Sequence, residues 1–121
     1  MHTLRVYLLI IWVLPAICFA GESFELLQEE AKQIKQKYSI ESIESSEVAN
    51  AAIGASLALQ SRLGSWYVEH EAACYERFFV NACLQDVKLK RRQLLPELKA
   101  IELAAKDFKR HAKAVQSEIG M

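Results

Sequence analysis

Apolar residues recur at alternating steps of three and four along the C-terminal third of the chain. The repeat is sustained for five heptads, and Arg91 is its only polar member. So regular an a/d pattern is typical of a coiled-coil-like helix and not of a strand. It predicts a helix over about residues 82–118, with Asn81 as its N-cap and Gly120 at its end. The repeat consists of Leu84, Val87, Arg91, Leu94, Leu98, Ile101, Ala105, Phe108, Ala112, Val115 and Ile119.

A second helix is predicted over residues 46–77, which contain no proline and are rich in alanine, leucine and glutamate. Ser45 or Ser46 is suited to cap its start. Because the apolar positions cover more than one stripe, this helix is expected to have two neighbours. The first stripe is Val48, Ala52, Ala55, Leu59, Trp66 and Ala73, interrupted by Arg62 and Glu69; the second is Ile53, Leu57, Leu63 and Tyr67.

The remaining neighbour is predicted to be a shorter amphipathic helix over about residues 23–38, capped by Ser23. Its apolar positions are Phe24, Leu27, Ala31, Ile34 and Tyr38. Residues 39–45 favour a break before the next helix, although one continuous helix is an alternative. The prediction is an all-α fold in a single domain, residues 21–121: an antiparallel helical hairpin with a shorter N-terminal helix.

The first 20 residues have the three-part pattern of a secretory signal peptide. Arg5 is followed by an apolar stretch, Val6 to Ala20, and small residues at Cys18 and Ala20 precede a cleavage site before Gly21. The apolar stretch is 15 residues long, short of the roughly 20 that a spanning helix needs. The pattern predicts export to the bacterial periplasm; an uncleaved membrane anchor is the alternative.

Cleavage would leave Cys74 and Cys83 as the only two cysteines, and in an oxidising compartment such a pair is expected to form a disulfide. On one straight helix their Cα atoms would be roughly 13.5 Å apart, whereas a disulfide needs about 7 Å or less. Either the helix breaks between them or they do not pair with each other. The bulky run 78–80 followed by Asn81 favours a break there. The two helices then form an antiparallel hairpin, and the disulfide joins them near its tip. In that register Leu59 faces Leu98 and Ala52 faces Ala105.

Charge is balanced overall and divided unequally between the two halves. The chain has 15 Lys+Arg and 15 Asp+Glu, which argues against a dedicated nucleic-acid binder. Residues 21–81 carry 5 basic and 10 acidic side chains, and residues 82–121 carry 9 and 5. The basic run 88–92 is suited to anionic lipid or nucleic acid, but the neutral total and the expected export favour a solvated face opposite Glu69, Glu71 and Glu76. Arg91 is expected to pair with Glu69.

The sequence contains no glycine-rich phosphate loop, nucleophile elbow or HExxH motif, so neither an enzyme nor a bound cofactor is predicted. His70 and Cys74 have the spacing of a two-ligand metal edge, but it would need a free Cys74 and further ligands. No metal is therefore expected. Aromatic residues near the predicted turn either pack around the disulfide or form an interaction patch. They are Trp66, Tyr67, Tyr75, Phe78 and Phe79.

Residues 74–84 read C-Y-E-R-F-F-V-N-A-C-L. This segment resembles a C-Y-x-[RK]-F-x-V-N-x-C-L motif shared by small exported helical proteins of β-proteobacteria whose function is unknown. Arg91, Arg92, Leu95, Leu98 and Glu102 fit the arginine-rich helix that follows the motif in those proteins. The likeness departs at Pro96 and in the alanine-rich segment 49–59. It implies an exported location and no particular activity.

The leading hypothesis is a non-enzymatic exported helical protein that acts through protein–protein contacts, with an envelope protein or a second copy as its partner. Nucleic acid is not expected, and membrane contact is expected only if the N-terminal segment stays uncleaved. A holdase-type periplasmic chaperone is one alternative. A membrane-tethered, spanin-like envelope component is another.

Overall fold

A computed structural model describes residues 22–120, and it contains three α-helices and no strand within that range. Helix α1 is Phe24–Lys37, α2 is Ser46–Cys74 and α3 is Val80–Ile119; a single 3₁₀ turn, Ile40–Ser42, lies between α1 and α2. The all-α fold with a helical hairpin is confirmed. The predicted signal peptide, residues 1–20, lies outside the described residues.

Two of the three predicted N-caps are correct. The Ser23 hydroxyl accepts from the Leu26 N–H (3.3 Å) and the Ser45 hydroxyl from the Val48 N–H (3.2 Å). Asn81 is not a cap, because α3 begins at Val80, with Phe79 in the cap position and no side-chain cap bond. At the other end the Gly120 N–H bonds to the Gln116 carbonyl (3.0 Å), where the pattern predicted the helix to end.

The break between α1 and α2 is held by serine side chains. The Ser42 hydroxyl lies 2.9 Å from the Lys37 carbonyl oxygen and 2.9 Å from the Ser39 carbonyl oxygen. It therefore occupies carbonyl groups that an uninterrupted helix would use itself, as serine commonly does at turns. Ile43 follows and is buried against α3, which brings the chain back to the core before α2 starts.

The core contact of α2 is rotated from the predicted stripe. Ala52, Leu59 and Trp66 are buried as expected, but Val48 and Ala55 are only half-buried and Ala73 is exposed. The positions one residue later take their places: the full buried set is Ala49, Ala52, Ser56, Leu59, Leu63, Trp66 and Cys74. Because α1 and α3 both pack on α2, the buried arc is centred between these two neighbours and not on the most apolar stripe.

Helix α3 follows its predicted repeat over the length that α2 covers. Val87, Leu94, Leu98, Ile101 and Ala105 are buried. Val115 and Ile119 are exposed because α2 begins at Ser46, so the last turns of α3 extend past their partner. Pro96 lies inside α3 on its exposed side, and the helix continues through it without losing a core residue.

The predicted register of the hairpin agrees with the packing. Leu59 and Leu98 belong to one buried cluster, and Ala52 and Ala105 to a second one nearer the α2 start. Ser56 is fully buried between the helices and donates to the Leu98 carbonyl oxygen (2.5 Å). Small residues at Ala49, Ala52, Ser56 and Ala105 thus let the two backbones approach closely.

Within residues 22–120, hydrogen bonds between side chains of different elements occur at two places. Gln60 on α2 donates to the Glu102 carboxylate on α3 (2.8 Å). That bond, followed by the one from Lys106, lowers the pKa of Glu102 below its ordinary value. On the other side of α2, Arg62 pairs with Glu22 and Glu30, and these hydrogen bonds raise the pKa of Arg62. Arg62 therefore fastens α1 to the hairpin.

Leu98 offers a direct test of this packing. Because it is fully buried, Leu98→Ala is expected to lower the free energy of unfolding by about 2–5 kcal/mol. Leu103→Ala on the same helix is the matched control, since Leu103 is exposed, and its effect should stay within about 0.5 kcal/mol. Urea unfolding followed by circular dichroism measures both. Equal effects of the two substitutions would contradict the assigned core face.

Candidate functional site

The turn that joins α2 to α3 is five residues long, from Tyr75 to Phe79. Helix α2 ends by tightening into i→i−3 bonds: the N–H groups of Tyr75, Glu76 and Arg77 bond to the carbonyls of Ala72, Ala73 and Cys74 at 3.1–3.3 Å. The N–H of Cys83 then bonds to the Phe79 carbonyl (3.1 Å) and α3 begins. The turn thus begins three residues before the predicted point at 78–81 and overlaps it at Phe78 and Phe79.

Cys74 and Cys83 meet across this turn as predicted. Their sulfur atoms are in bonding contact and their Cα atoms are 5.5 Å apart, inside the range that a disulfide requires. Cys74 is fully buried, Cys83 is half-buried, and both pack against the larger core cluster. The bridge joins the last residue of α2 to the first turn of α3.

Three of the five predicted patch residues are exposed together on this turn. Phe78 exposes 93% of its surface, Phe79 74% and Tyr75 64%. The two phenylalanine rings contact each other edge to face, with centroids 5.1 Å apart. We call Tyr75, Phe78 and Phe79 the aromatic tip. Two adjacent phenylalanines this exposed form an apolar surface larger than a single scattered hydrophobic residue gives.

Of the two alternatives that the sequence left open for the aromatic residues, Trp66 packs and does not belong to the patch. It is buried between α1 and the hairpin, with its ring 5.0 Å from that of Phe24 and stacked 4.5 Å from the His70 imidazole. It lies two turns before the end of α2, on the side that α1 covers. Its indole N–H finds no hydrogen-bond partner among residues 22–120. Trp66 therefore contributes to the core and not to a binding surface.

Tyr67 is half-buried and separated from the tip. The Arg91 guanidinium carbon lies 4.7 Å from its ring centroid, so the expected Arg91–Glu69 pair is replaced by a cation–π contact. Partial burial, with the neighbouring Glu71 carboxylate, raises the pKa of the Tyr67 hydroxyl. Tyr67 helps to hold α3 against α2.

The His70 and Cys74 pair is not arranged as a metal edge. The His70 Nδ1 donates to the Trp66 carbonyl oxygen (2.9 Å), and Cys74 is bonded to Cys83. Within residues 22–120 no three His, Cys, Asp or Glu side chains are grouped so that they could hold a metal ion. The two cysteines instead form the disulfide that closes the turn.

No protein-family model, no curated protein and no solved structure matches this chain. The likeness of residues 74–84 to small exported proteins therefore stays a prediction from the motif. Within residues 22–120, no helix combines the length and the hydropathy that crossing a bilayer would require. Residues 22–120 therefore form a three-helix fold, and the turn of its hairpin presents the aromatic tip.

The bridge is expected to stabilise the hairpin measurably. Replacing both cysteines, Cys74→Ala/Cys83→Ala, opens a loop of ten residues in the unfolded chain and should lower the free energy of unfolding by roughly 2.7 kcal/mol. Reducing the wild-type protein should lower it by a similar amount, and the variant should not respond to reductant. Two reactive thiols at Cys74 and Cys83 in unreduced, denatured wild type would contradict the assigned bridge.

Proposed function

We propose that this chain is an exported, non-enzymatic helical protein that binds a protein partner through its aromatic tip. The observation that carries the proposal is the exposure of Phe78 and Phe79 on a short turn closed by Cys74 and Cys83. Burying an exposed phenylalanine side chain in a partner's pocket contributes about 1.5–3 kcal/mol. Aromatic residues held on a rigid support are frequent centres of protein–protein interfaces.

The rigidity of the turn supports a binding role. The five residues between the helices are held by three backbone hydrogen bonds at the α2 end and by the bridge to α3. A pre-ordered loop loses little conformational entropy when it binds. The partner is an envelope protein or a second copy of this chain.

A holdase-type chaperone is the second candidate function, and a separate groove favours it. Tyr38 and Ile40 border a largely apolar groove beside α3. Its other lining residues are Pro96, Ala100, Ile101 and Ala104, together with the polar Lys35, Ser39 and Glu97. Ile40 is 81% exposed at its edge. Such a groove offers apolar surface to an extended, unfolded client without demanding a particular sequence.

The tip is tested by the double variant Phe78→Ala/Phe79→Ala. Both side chains are exposed and alanine adds no helix cap, so the free energy of unfolding should change by no more than about 0.5 kcal/mol while partner binding is lost. The matched control is Leu89→Ala/Leu103→Ala, which removes two exposed apolar side chains from α3. Cross-linked pull-down from the bacterial envelope and sedimentation of the purified proteins measure binding to another protein and to a second copy.

Loss of one defined partner, or of self-association, with the tip variant but not with the control supports the proposal. Equal binding by both variants contradicts it. Suppression of aggregation of a denatured model protein by wild type at equimolar ratio, unchanged by the tip variant, would point instead to the holdase function.

Export is tested separately by the mass of the protein isolated from cells. Cleavage before Gly21 should give a chain of residues 21–121, because the small residues at Cys18 and Ala20 suit the peptidase that removes secretory signals. The soluble periplasmic fraction should contain it. Recovery of a chain that still begins at Met1 in the membrane fraction would contradict release and favour the tethered, spanin-like alternative.

A further inference from the structure

Basic side chains form a straight row along α3. Lys88, Arg92, Lys99, Lys106, Arg110 and Lys113 follow one another at steps of four, seven, seven, four and three residues, which places them on one side of a helix. We call these six residues the cationic stripe. It extends over about 38 Å at 1.5 Å per residue.

The contacts of other α3 residues show on which side of the bundle the stripe lies. Arg91 contacts Tyr67, and Glu102 accepts from Gln60, so both mark the line where α3 meets α2. Lys90 instead lies over the Phe24 ring of α1, 5.7 Å from its centroid. The stripe is on the other side of the α2 contact line from Lys90. It therefore belongs to the bundle surface that faces away from α1.

The acidic half of the chain does not neutralise the stripe. Among residues 22–120, its ion pairs are Lys106 with Glu102 and Arg110 with Asp107, both within α3. Lys88, Arg92, Lys99 and Lys113 form none there, and the predicted pairing with acidic residues of α2 is absent. Asp86 and Glu97, four residues before and seven after Lys90, share its α1-facing side.

Beside the stripe, α2 and the adjoining Tyr75 contribute exposed apolar side chains and one carboxylate. Leu57, Val68 and Tyr75 are separated by eleven and seven residues, so they form one row next to Gln60 and Tyr67. They are 46%, 65% and 64% exposed. No charged residue occurs on α2 between Glu47 and Arg62, and the carboxylate on this side is Glu71, beside Tyr67. This apolar row and the cationic stripe lie on either side of the α2–α3 contact line and form one surface, the α2–α3 face.

We propose that the α2–α3 face binds the surface of a bilayer that contains anionic lipids. Phosphate headgroups would pair with the stripe while Leu57 and Val68 reach the boundary of the hydrocarbon layer. A cationic row alone would suit any polyanion, but an apolar row beside it fits a lipid surface and has no counterpart on a nucleic-acid backbone. The inference does not depend on the protein contact proposed for Phe78 and Phe79.

The test is flotation with vesicles of phosphatidylcholine, with and without phosphatidylglycerol. Wild type is compared with Lys88→Gln/Arg92→Gln/Lys99→Gln and with the matched control Lys32→Gln/Lys35→Gln/Lys37→Gln on α1. Both variants remove three exposed positive charges, and circular dichroism checks that each stays helical. All three proteins have the same N terminus, so any binding by residues 1–21 is common to them.

Wild type should prefer the anionic vesicles, and added salt should weaken that preference. The α3 variant should lose at least about tenfold in its partition coefficient for them, since each basic residue near an anionic surface contributes to binding. The α1 control should stay within about twofold of wild type. Equal losses for both variants, or binding that ignores phosphatidylglycerol, would overturn the proposal. Retention by duplex DNA but not by anionic vesicles would overturn it in favour of a nucleic-acid site.

Discussion

The bond between Cys74 and Cys83 is the constraint on which the arrangement of the helices depends. It fixes the last residue of α2 and the fourth residue of α3 with their Cα atoms 5.5 Å apart. Each residue of slippage would rotate a helix by about 100° and move it by about 1.5 Å. A slip of one residue would therefore take Leu98 away from Leu59 and separate Ser56 from the Leu98 carbonyl. The closed turn and the buried contacts specify the same register.

Electrostatic pairing between the two halves of the chain contributes less to this register than their opposite net charges suggest. The ion pairs within residues 22–120 join Arg62 to Glu30 of α1 and to Glu22 just before it, or join neighbouring residues within α3. Between α2 and α3 the polar contacts are the Ser56 and Gln60 hydrogen bonds and the stacking of Arg91 on Tyr67. Exposed ion pairs contribute little to stability. The alignment of the hairpin therefore comes from packing and from the disulfide. Most of the cationic side chains of α3 face solvent.

Much of the fold follows from the periodicity of the apolar residues, because a long a/d repeat has few competing interpretations. The sequence pattern predicts the α3 repeat, the Ser23 and Ser45 caps and the facing of Leu59 with Leu98. It does not predict the rotation of α2. The buried face of α2 includes a serine, which a hydrophobic pattern counts as polar, and Ser56 instead of Ala55 faces the Leu98 carbonyl of α3. The docking of α1 buries Trp66 against Phe24, although Trp66 lies near the other aromatic residues in sequence. The residue type of Asn81 suits a cap, but α3 already begins one residue earlier, at Val80.

The position of helix α1 explains why residues 22–120 leave two surfaces uncovered and where these lie. Helix α1 covers the side of the hairpin that contains Trp66 and Arg62. It begins at Phe24, beside Trp66, runs away from the tip, and does not reach the opposite side of the hairpin. The tip keeps its phenylalanines exposed because no element of residues 22–120 extends beyond the turn, and the α2–α3 face keeps its cations because α1 is attached elsewhere. Burying Phe78 and Phe79 inside this fold would require a longer helix to cap the turn. Neutralising α3 would require more acidic residues on the outer side of α2, where Glu71 stands among small and apolar residues. The exposed surfaces are thus a consequence of how the sequence distributes its side chains around a bridged hairpin.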